Sequence, residues 1–127
     1  MTIDAGDPHR TILHAALPDD WAAALRHGEY RISTRGITLE QEGFIHCSRR
    51  HQVEAVVARF YADVPELVLL TIDPDRLDAP VVDEPPTDGV DELFPHVYGP
   101  IPIEAVVQAE RWRPDDGRYR LATSSSG

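Results

Sequence analysis

The sequence predicts a compact α+β domain with two main helices. Roughly five or six short strand-like segments and two amphipathic segments follow one another in mixed order, without the regular strand and helix alternation of a doubly wound sheet. A length of 127 residues is that of one domain with one hydrophobic core. We expect this domain to span residues 11–121, between flexible termini at residues 1–10 and 122–127.

The chain begins with a predicted strand and helix. "TILHAAL" at residues 11–17 is short and apolar, which indicates a strand. "PDDWAAALRHG" follows with proline and two acids at its start, Trp21, Ala24 and Leu25 on one helical face, and Gly28 as the stop. We therefore expect a helix of about ten residues. Residues 29–41 are expected to form a loop or weak strand.

The stretch "EGFIHCS" at residues 42–48 predicts a short strand with two different faces. Successive strand residues point to opposite sides, so Phe44, His46 and Ser48 share one face. Ile45 and Cys47 share the other, where Cys47 is expected to act as a small buried hydrophobe. The histidine face is then either a hydrogen-bonded part of the core or the wall of a site.

A second helix is expected directly after Ser48. Val53, Val56, Val57 and Phe60 repeat at the spacing of one helix face, and Ser48 falls where an N-cap belongs.

The start of this second helix could hold an anion. Its first N–H groups, with Arg49 and Arg50, could bind a phosphate near Ser48, and Gln52 would lie at the same end. Alternatively, Ser48 only caps the helix and the arginines are solvated.

The second half of the chain predicts mostly strands. "PELVLLTID" at residues 65–73 is continuously apolar, as a central strand is, and "APVVDE" reads as another strand. Residues 83–93, rich in acids and proline, predict a mobile loop or lid. "IEAVVQAERW" is expected to pass from a helical turn into a strand, and Asp116-Gly117 predicts a hairpin leading to a last strand through Tyr119 and Leu121.

Composition excludes several classes of function. Lys and Arg total 12 against 22 Asp and Glu, a net charge of −10, so the chain is a poor candidate for a general nucleic-acid binder. No apolar stretch approaches the roughly 20 residues of a membrane helix. The N-terminus lacks a signal-peptide pattern and there is one cysteine, which together favour a cytoplasmic protein.

Three histidines lie in apolar, strand-like surroundings: His14, His46 and His96. Each taken alone is more often a structural histidine, but three such positions indicate a shared site. Their spacing matches no known metal pattern, so no metal is expected. The sequence also lacks a glycine-rich phosphate loop, a zinc-protease motif and a serine-hydrolase elbow.

Three motifs carry a resemblance to a known family. "EGFIHCS" with Gln52 following, "LVLLTIDPDRL" and "FPHVYGPIPIEAVV", in this order between Ile12 and Val107, closely resemble the small bacterial proteins of the domain of unknown function 952 family. That family is similar to the ADP-ribosyltransferase fold, a split α+β domain that binds NAD in a cleft between two small antiparallel sheets. Within it, the RNA 2′-phosphotransferase branch is the nearest pattern.

The resemblance implies a set of site residues. His14 takes the place of the histidine in that branch's first motif, and His46 and Ser48 take the last histidine and serine of its second. Ala15-Ala16 and Phe44 depart from it, which disfavours phosphate transfer from RNA. Such folds often use a glutamate beside the ribose; Glu84, Glu104 and Glu110 are candidates, and Glu84 is preferred.

The function expected from this resemblance is binding of NAD or a related nucleotide, with cleavage or transfer at the nicotinamide ribose bond. His14, His46 and Glu84 would be catalytic. The residues expected to hold the ligand are Ser48, Arg49, Gln52, His96, Tyr98 and Trp21. Two alternatives stay open: a non-catalytic module that binds a small ligand or nucleotide, and a small enzyme of unrelated histidine acid-base chemistry.

Overall fold

The fold class predicted from the sequence is confirmed. The computed structural model describes residues 11–87 and 89–121. These residues form an α+β domain with the elements β1 (Ile12–Ala16), α1 (Pro18–His27), β2 (Glu29–Tyr30), β3 (Ile32–Thr34), β4 (Ile37–Thr38), α2 (Leu39–Glu42), β5 (Ile45–His46), α3 (Arg50–Phe60), β6 (Leu67–Ile72), β7 (Val81–Glu84), β8 (Phe94–Val97), β9 (Ile101–Pro102) and β10 (Val106–Trp112). The expected flexible termini lie outside the described residues, and the likeness to the ADP-ribosyltransferase fold stays a prediction.

The first three-stranded sheet has the order β1-β6-β10, and all its pairings are antiparallel. The predicted central strand at residues 65–73 is therefore confirmed as β6. Its residues alternate between two buried surfaces: Leu70 and Ile72 enter one hydrophobic cluster, and Leu67 and Leu69 enter the other. Burial on both faces explains why this strand reads as continuously apolar.

The second three-stranded sheet, β5-β8-β7, is also antiparallel. It is joined to the first sheet by one bridge, in which Leu13 and Ser48 exchange two backbone hydrogen bonds of 2.8 Å each. Two further pairs, β2 with β9 and β3 with β4, make two-stranded sheets. Instead of the two sheets expected, the described residues thus contain four, the two larger ones meeting at β1.

The two larger helices lie where the sequence predicts them. Helix α1 ends at Gly28, whose φ of 88° is left-handed and whose N–H donates to the carbonyl of Ala24. Helix α3 packs Val53 and Val57 into the core beneath the first sheet. The sequence places Phe60 on the same apolar helix face as Val53 and Val57, but in the structure Phe60 is 45% exposed.

The predicted N-cap at Ser48 is wrong. Arg49 occupies that position, and helix α3 begins one residue later than expected. Ser48 is not available because its backbone N–H and carbonyl are both committed to Leu13 in the bridge between the sheets.

Residues 29–41 contain more structure than the loop or weak strand expected there. They form β2, β3, β4 and the start of α2, which Thr38 and Gln41 hold with a reciprocal capping box. Strands of two or three residues are too short to produce a periodic pattern, so the sequence does not reveal them.

The C-terminal region confirms the turn but not the strand after it. Asp116 and Gly117 both have positive φ, and Asp115 pairs with Arg118 on either side of them. The predicted last strand through Tyr119 and Leu121 does not form; these residues have irregular backbone, and Tyr119 is anchored by its hydroxyl, which donates to the carbonyl of Val64 at 2.6 Å.

In residues 11–87 and 89–121, no helix has both the length and the apolar character needed to cross a membrane.

Candidate functional site

The candidate site is built on one face of the β5-β8-β7 sheet. Phe44 and His46 come from β5 and the residue before it, Phe94, His96 and Tyr98 from β8 and the residue after it, and Glu84 from β7. On the opposite face, Ile45, Cys47 and Val97 are buried in the hydrophobic core. The alternation predicted for residues 44–47 is therefore confirmed.

A chain of hydrogen bonds crosses this face from strand to strand. His96 Nδ1 lies 2.8 Å from Glu84 Oε2, and His96 Nε2 lies 3.2 Å from His46 Nδ1. His46 and His96 are direct cross-strand partners. The neighbouring pair carries the ladder bond, from Cys47 N–H to the Pro95 carbonyl, so the two histidines form a non-hydrogen-bonded pair, in which side chains come closest.

While His96 is neutral, the carboxylate of Glu84 sets the tautomers of both rings. An ionised Glu84 can only accept, so Nδ1 of His96 carries the proton. In the neutral ring Nε2 of His96 is then an acceptor, and Nδ1–H of His46 donates to it. The remaining nitrogen of His46, Nε2, consequently carries a lone pair.

This last nitrogen is open to the surroundings. No described residue hydrogen-bonds to Nε2 of His46, and among the described residues no buried side-chain nitrogen or oxygen lacks a partner. Because His46 also lines the neighbouring cleft, its Nε2 is a hydrogen-bond acceptor accessible from that cleft.

His14 holds the backbone of His46 in place. Nδ1–H of His14 donates to the His46 carbonyl at 2.8 Å, and Nε2 of His14 accepts from the hydroxyl of Tyr30 at 2.9 Å. On the same strand edge, the N–H of His46 donates to Ser33 Oγ at 3.2 Å. Both ring nitrogens of His14 are thus engaged within the protein, which makes it a positioning residue for His46.

Burial keeps His14 and His46 neutral, and hydrogen bonds keep Glu84 ionised. Burial lowers the pKa of His14 to about 4, and burial together with the nearby His96 and His14 lowers the pKa of His46 to about 4. Both rings are therefore neutral at pH 7. Glu84 accepts hydrogen bonds from the Tyr98 hydroxyl and from His96. The bond from Tyr98 lowers the pKa of Glu84 most and that from His96 comes next, so that Glu84 is ionised.

A cleft of about 760 Å³ lies in front of His46. Its floor is the sheet face with Phe44, His46 and Phe94, and one wall is α3. The residues of this wall are His51, Gln52, Ala55, Val56, Arg59 and Phe60. The rest of the lining comes from β3, the end of α2 and the loop between β7 and β8: Ser33, Thr34, Glu42, Pro86, Thr87, Val90 and Glu92.

Helix α3 therefore has two apolar sides. Val53 and Val57 face the core, whereas Val56 and Phe60 face the cleft. The exposure of Phe60 follows from this division.

The start of α3, where the sequence suggests a phosphate site, is held by the protein's own side chains. Arg49 forms an ion pair with Asp83 at 3.0 Å. The amide of Gln52 accepts from the Arg49 N–H at 2.8 Å and donates to Glu92 Oε2 at 2.9 Å and to the Leu93 carbonyl at 2.8 Å. These bonds fix the loop at residues 91–93 against the helix.

The structure brings most of the predicted site residues together, in different roles. His46 and Gln52 line the cleft, and Ser48 lies at the junction of the sheets. His96, Glu84 and Tyr98 lie behind His46 on the sheet face and do not line the cleft. Trp21 packs against the core beside Tyr30, with ring centroids 6.5 Å apart, and lies outside the cleft, as do Glu104 and Glu110.

Several cleft residues were not found from the sequence. Phe94 could have been, because "FPHVY" repeats the aromatic, histidine alternation of "EGFIHCS" on what proves to be the neighbouring strand. The sequence could not have revealed Phe60, Arg59 and His51, because a helix pattern does not say that its apolar surface is shared between a core and a cleft.

In the described part of the chain, no group of three or more His, Cys, Asp or Glu side chains could hold a metal ion.

Cys47 should not react with a thiol reagent in the folded protein. It is almost fully buried, and burial raises the pKa of its thiol, so that the reactive thiolate is scarce. Labelling with a chromogenic disulfide reagent should occur only after unfolding in urea, which serves as the positive control. Fast labelling in buffer would show that the segment following β5, which carries Cys47, opens readily.

Three solved structures of protein CC0527 resemble this chain. The crystal structure of protein CC0527 from Caulobacter crescentus is 26% identical in sequence, with a TM-score of 0.74, and the match covers 87% of this chain and 94% of that chain. A crystal structure of a double mutant of CC0527 gives 25% identity and a TM-score of 0.74, with the same coverage. Its solution NMR structure gives 24% and 0.71, covering 87% and 90% of the two chains.

The comparison with families agrees with the three motifs. A comparison with curated proteins gave no match. Residues 15–109 match the family described as "Protein of unknown function (DUF952)". Since this match spans most of the sequence, the chain belongs to the DUF952 family.

Proposed function

We propose that the protein binds NAD or a related nucleotide in the cleft in front of His46, and that His46 acts as general base on a hydroxyl held there. With NAD, the reaction would be attack of a water or acceptor hydroxyl on the ribose carbon. The new carbon–oxygen bond forms as the bond to nicotinamide breaks, and the proton of the attacking hydroxyl passes to Nε2 of His46. Nicotinamide leaves as a neutral molecule.

The observation that carries the proposal is that Nε2 of His46 has no hydrogen-bond partner among the described residues while His46 lines the cleft. Glu84 and His96 set its tautomer, while His14 and Ser33 hold the backbone beneath it. A general base that is itself oriented by a further hydrogen-bonded group is found in many hydrolytic and transfer sites.

The cleft suits an organic ligand with a flat ring. Its volume falls within the roughly 300–1,000 Å³ common for small-molecule sites. Three aromatic rings line it, those of Phe44, Phe60 and Phe94, and Arg59 adds a positive charge beside Phe60. The likeness of the motifs to NAD-binding folds makes NAD the first ligand to test.

A carboxylate in the cleft would stabilise the positive ribose centre formed as nicotinamide leaves. Glu84, preferred from the sequence, lies behind His96, whereas Glu42 and Glu92 line the cleft. Of these two, Glu92 is held by the amide of Gln52 at 2.9 Å, and we assign the stabilising role to Glu92.

The test combines thermal unfolding with nicotinamide release, measured with NAD, ADP-ribose and nicotinamide. NAD at 100 times its Kd should stabilise the protein by about 2.7 kcal/mol, seen as a rise in Tm. His46→Gln should reduce nicotinamide release by at least ~100-fold, the lower end of the usual contribution of a general base. His27→Gln, at the exposed end of α1, is the matched control and should behave as the unmodified protein.

If none of these ligands changes the Tm, NAD binding is disproved. A second candidate is then a small enzyme that uses the same histidine on another ligand. One observation favours it: Arg49, expected to help hold a phosphate, already pairs with Asp83, and Gln52 at the same end of the helix is bonded to Glu92. A screen of non-nucleotide ligands, in which any rise in Tm is compared between the unmodified protein and His46→Gln, tests this candidate.

A further inference from the structure

Three ionisable side chains connect the cleft to the outer edge of the second sheet. His46, His96 and Glu84 come from β5, β8 and β7, which are neighbours in that sheet. Nδ1 of His46 lies 3.2 Å from Nε2 of His96, and Nδ1 of His96 lies 2.8 Å from Oε2 of Glu84. Both are hydrogen bonds in which a proton can shift from one heavy atom to the next.

The middle of this chain is shielded from water, and its ends are not. His96 is fully buried, and the ring of Phe44 stacks on it with centroids 3.9 Å apart and planes 11° apart. At one end His46 faces the cleft. At the other, the Glu84 side chain is 29% exposed and is also bonded by the hydroxyl of Tyr98.

We propose that a proton taken from the ligand at His46 is stored on His96 beside Glu84, while His46 itself stays neutral. The proposal rests on the function proposed above, because it gives His46 its role toward a ligand. It assigns His96 and Glu84 as a proton store that does not touch the ligand.

The steps balance as one proton moved over two bonds. The ligand hydroxyl loses its proton to Nε2 of His46, and the proton already on Nδ1 of His46 passes to Nε2 of His96. His96 becomes an imidazolium, with its Nδ1–H still donating to the carboxylate of Glu84. His46 ends neutral with the proton on Nε2, so the cleft-facing nitrogen has changed from an acceptor into a donor.

This arrangement has an electrostatic advantage. A positive charge on His46 would lie next to the positive ribose centre expected in the cleft, whereas a charge on His96 lies one strand further away and is paired with a carboxylate. The same His46 nitrogen, now a donor, could return the proton to a leaving or product group.

Other titratable or charged groups lie around the pair and must be considered in any titration. They are His14 of β1 beneath His46, the cleft residues Glu42 of α2, His51 and Arg59 of α3 and Glu92 of the loop, and Tyr98 beside Glu84. Among the described residues, Glu84 is the only carboxylate that hydrogen-bonds directly to His96.

The experiment is ring ¹⁵N NMR of the histidines, recorded against pH on the protein without ligand. Above neutral pH, both His46 and His96 should carry their proton on Nδ1. On acidification His96 should become an imidazolium, and in the same step His46 should change to the neutral form protonated on Nε2. A His46 ring that becomes an imidazolium before His96 contradicts the proposal, as does a His96 ring that stays neutral until the protein unfolds.

Two variants should move this step in opposite directions. Glu84→Gln keeps a hydrogen bond to His96 but removes the charge. The pH at which the histidine step occurs should therefore fall by about one unit, a tenfold loss of proton affinity. Tyr98→Phe removes a donor to the Glu84 carboxylate, which leaves more of its negative charge for His96, and the step should rise. The ring ¹⁵N signals of His27, exposed at the end of α1, are the internal control and should coincide in all three proteins.

The two proposals can fail separately. The NMR measurement needs no ligand, so a tautomer change in His46 would stand even if NAD does not bind. Conversely, if NAD binds and nicotinamide release depends on His46, but both variants leave the histidine step unmoved, the proton store is wrong and the proposed function survives.

Discussion

Acidification from pH 7 to pH 4 should lower the free energy of unfolding, and His14 alone should account for about 3 kcal/mol of the loss. Its pKa is about 4 in the folded protein, because of burial, against an ordinary value of 6.5. Between these values the unfolded chain binds a proton at this histidine and the folded protein does not. Stability therefore falls as the pH falls through this window and is fully retained above it.

Urea unfolding at a series of pH values measures this effect, and His14→Gln is the matched variant. A glutamine amide can donate to the His46 carbonyl and accept from the Tyr30 hydroxyl, as His14 does, but it does not titrate. Between pH 6.5 and 4, the slope of the free energy of unfolding against pH should be smaller in this variant by up to about 1.4 kcal/mol per pH unit, the value for one proton. Parallel curves for the two proteins would show that His14 is not the group responsible.

Gly99→Ala should destabilise the protein by about 1–3 kcal/mol, the usual cost of forcing an additional carbon into a packed site. A Cβ at Gly99 would lie 2.6 Å from the Cβ of Ala79, an atom that no side-chain rotation can move. Backbone would have to shift where the N–H of Tyr98 donates to the Pro80 carbonyl at 3.0 Å, close to the start of β7. Glycine is required here for space.

The double variant Gly99→Ala, Ala79→Gly tests that explanation. Removing the Cβ of Ala79 takes away the atom that clashes, so the double variant should recover most of the lost Tm, although Ala79→Gly alone should be slightly destabilising. If the two losses simply add, steric contact is not the cause. As a position that carries no such contact, His51→Ala on the exposed side of α3 should change the stability by less than about 0.5 kcal/mol.

The sequence predicts well those features that depend on local pattern. Helices α1 and α3, the central strand β6 and the two faces of residues 44–47 all follow from the spacing of apolar side chains. The same alternation separates Cys47 from His46, which places the thiol in the core and the imidazole toward the cleft.

The features that the sequence does not predict depend on how distant segments meet. No local pattern says that Tyr30 and His46 bind the two nitrogens of His14, or that His96 lies between His46 and Glu84. Those contacts join residues up to 50 positions apart in the chain. Trp21 illustrates the converse error, because an aromatic residue next to a predicted site strand packs into the core instead.

The manner in which β5 ends its sheet has a consequence for solubility. An edge strand usually offers free backbone N–H and carbonyl groups to which another chain can add, and this is a common route to aggregation. At His46 those two groups are already taken by Ser33 Oγ and His14 Nδ1. The side chains that orient the candidate base therefore also close this edge to a second molecule, so that substitutions at either position should be judged by self-association as well as by activity.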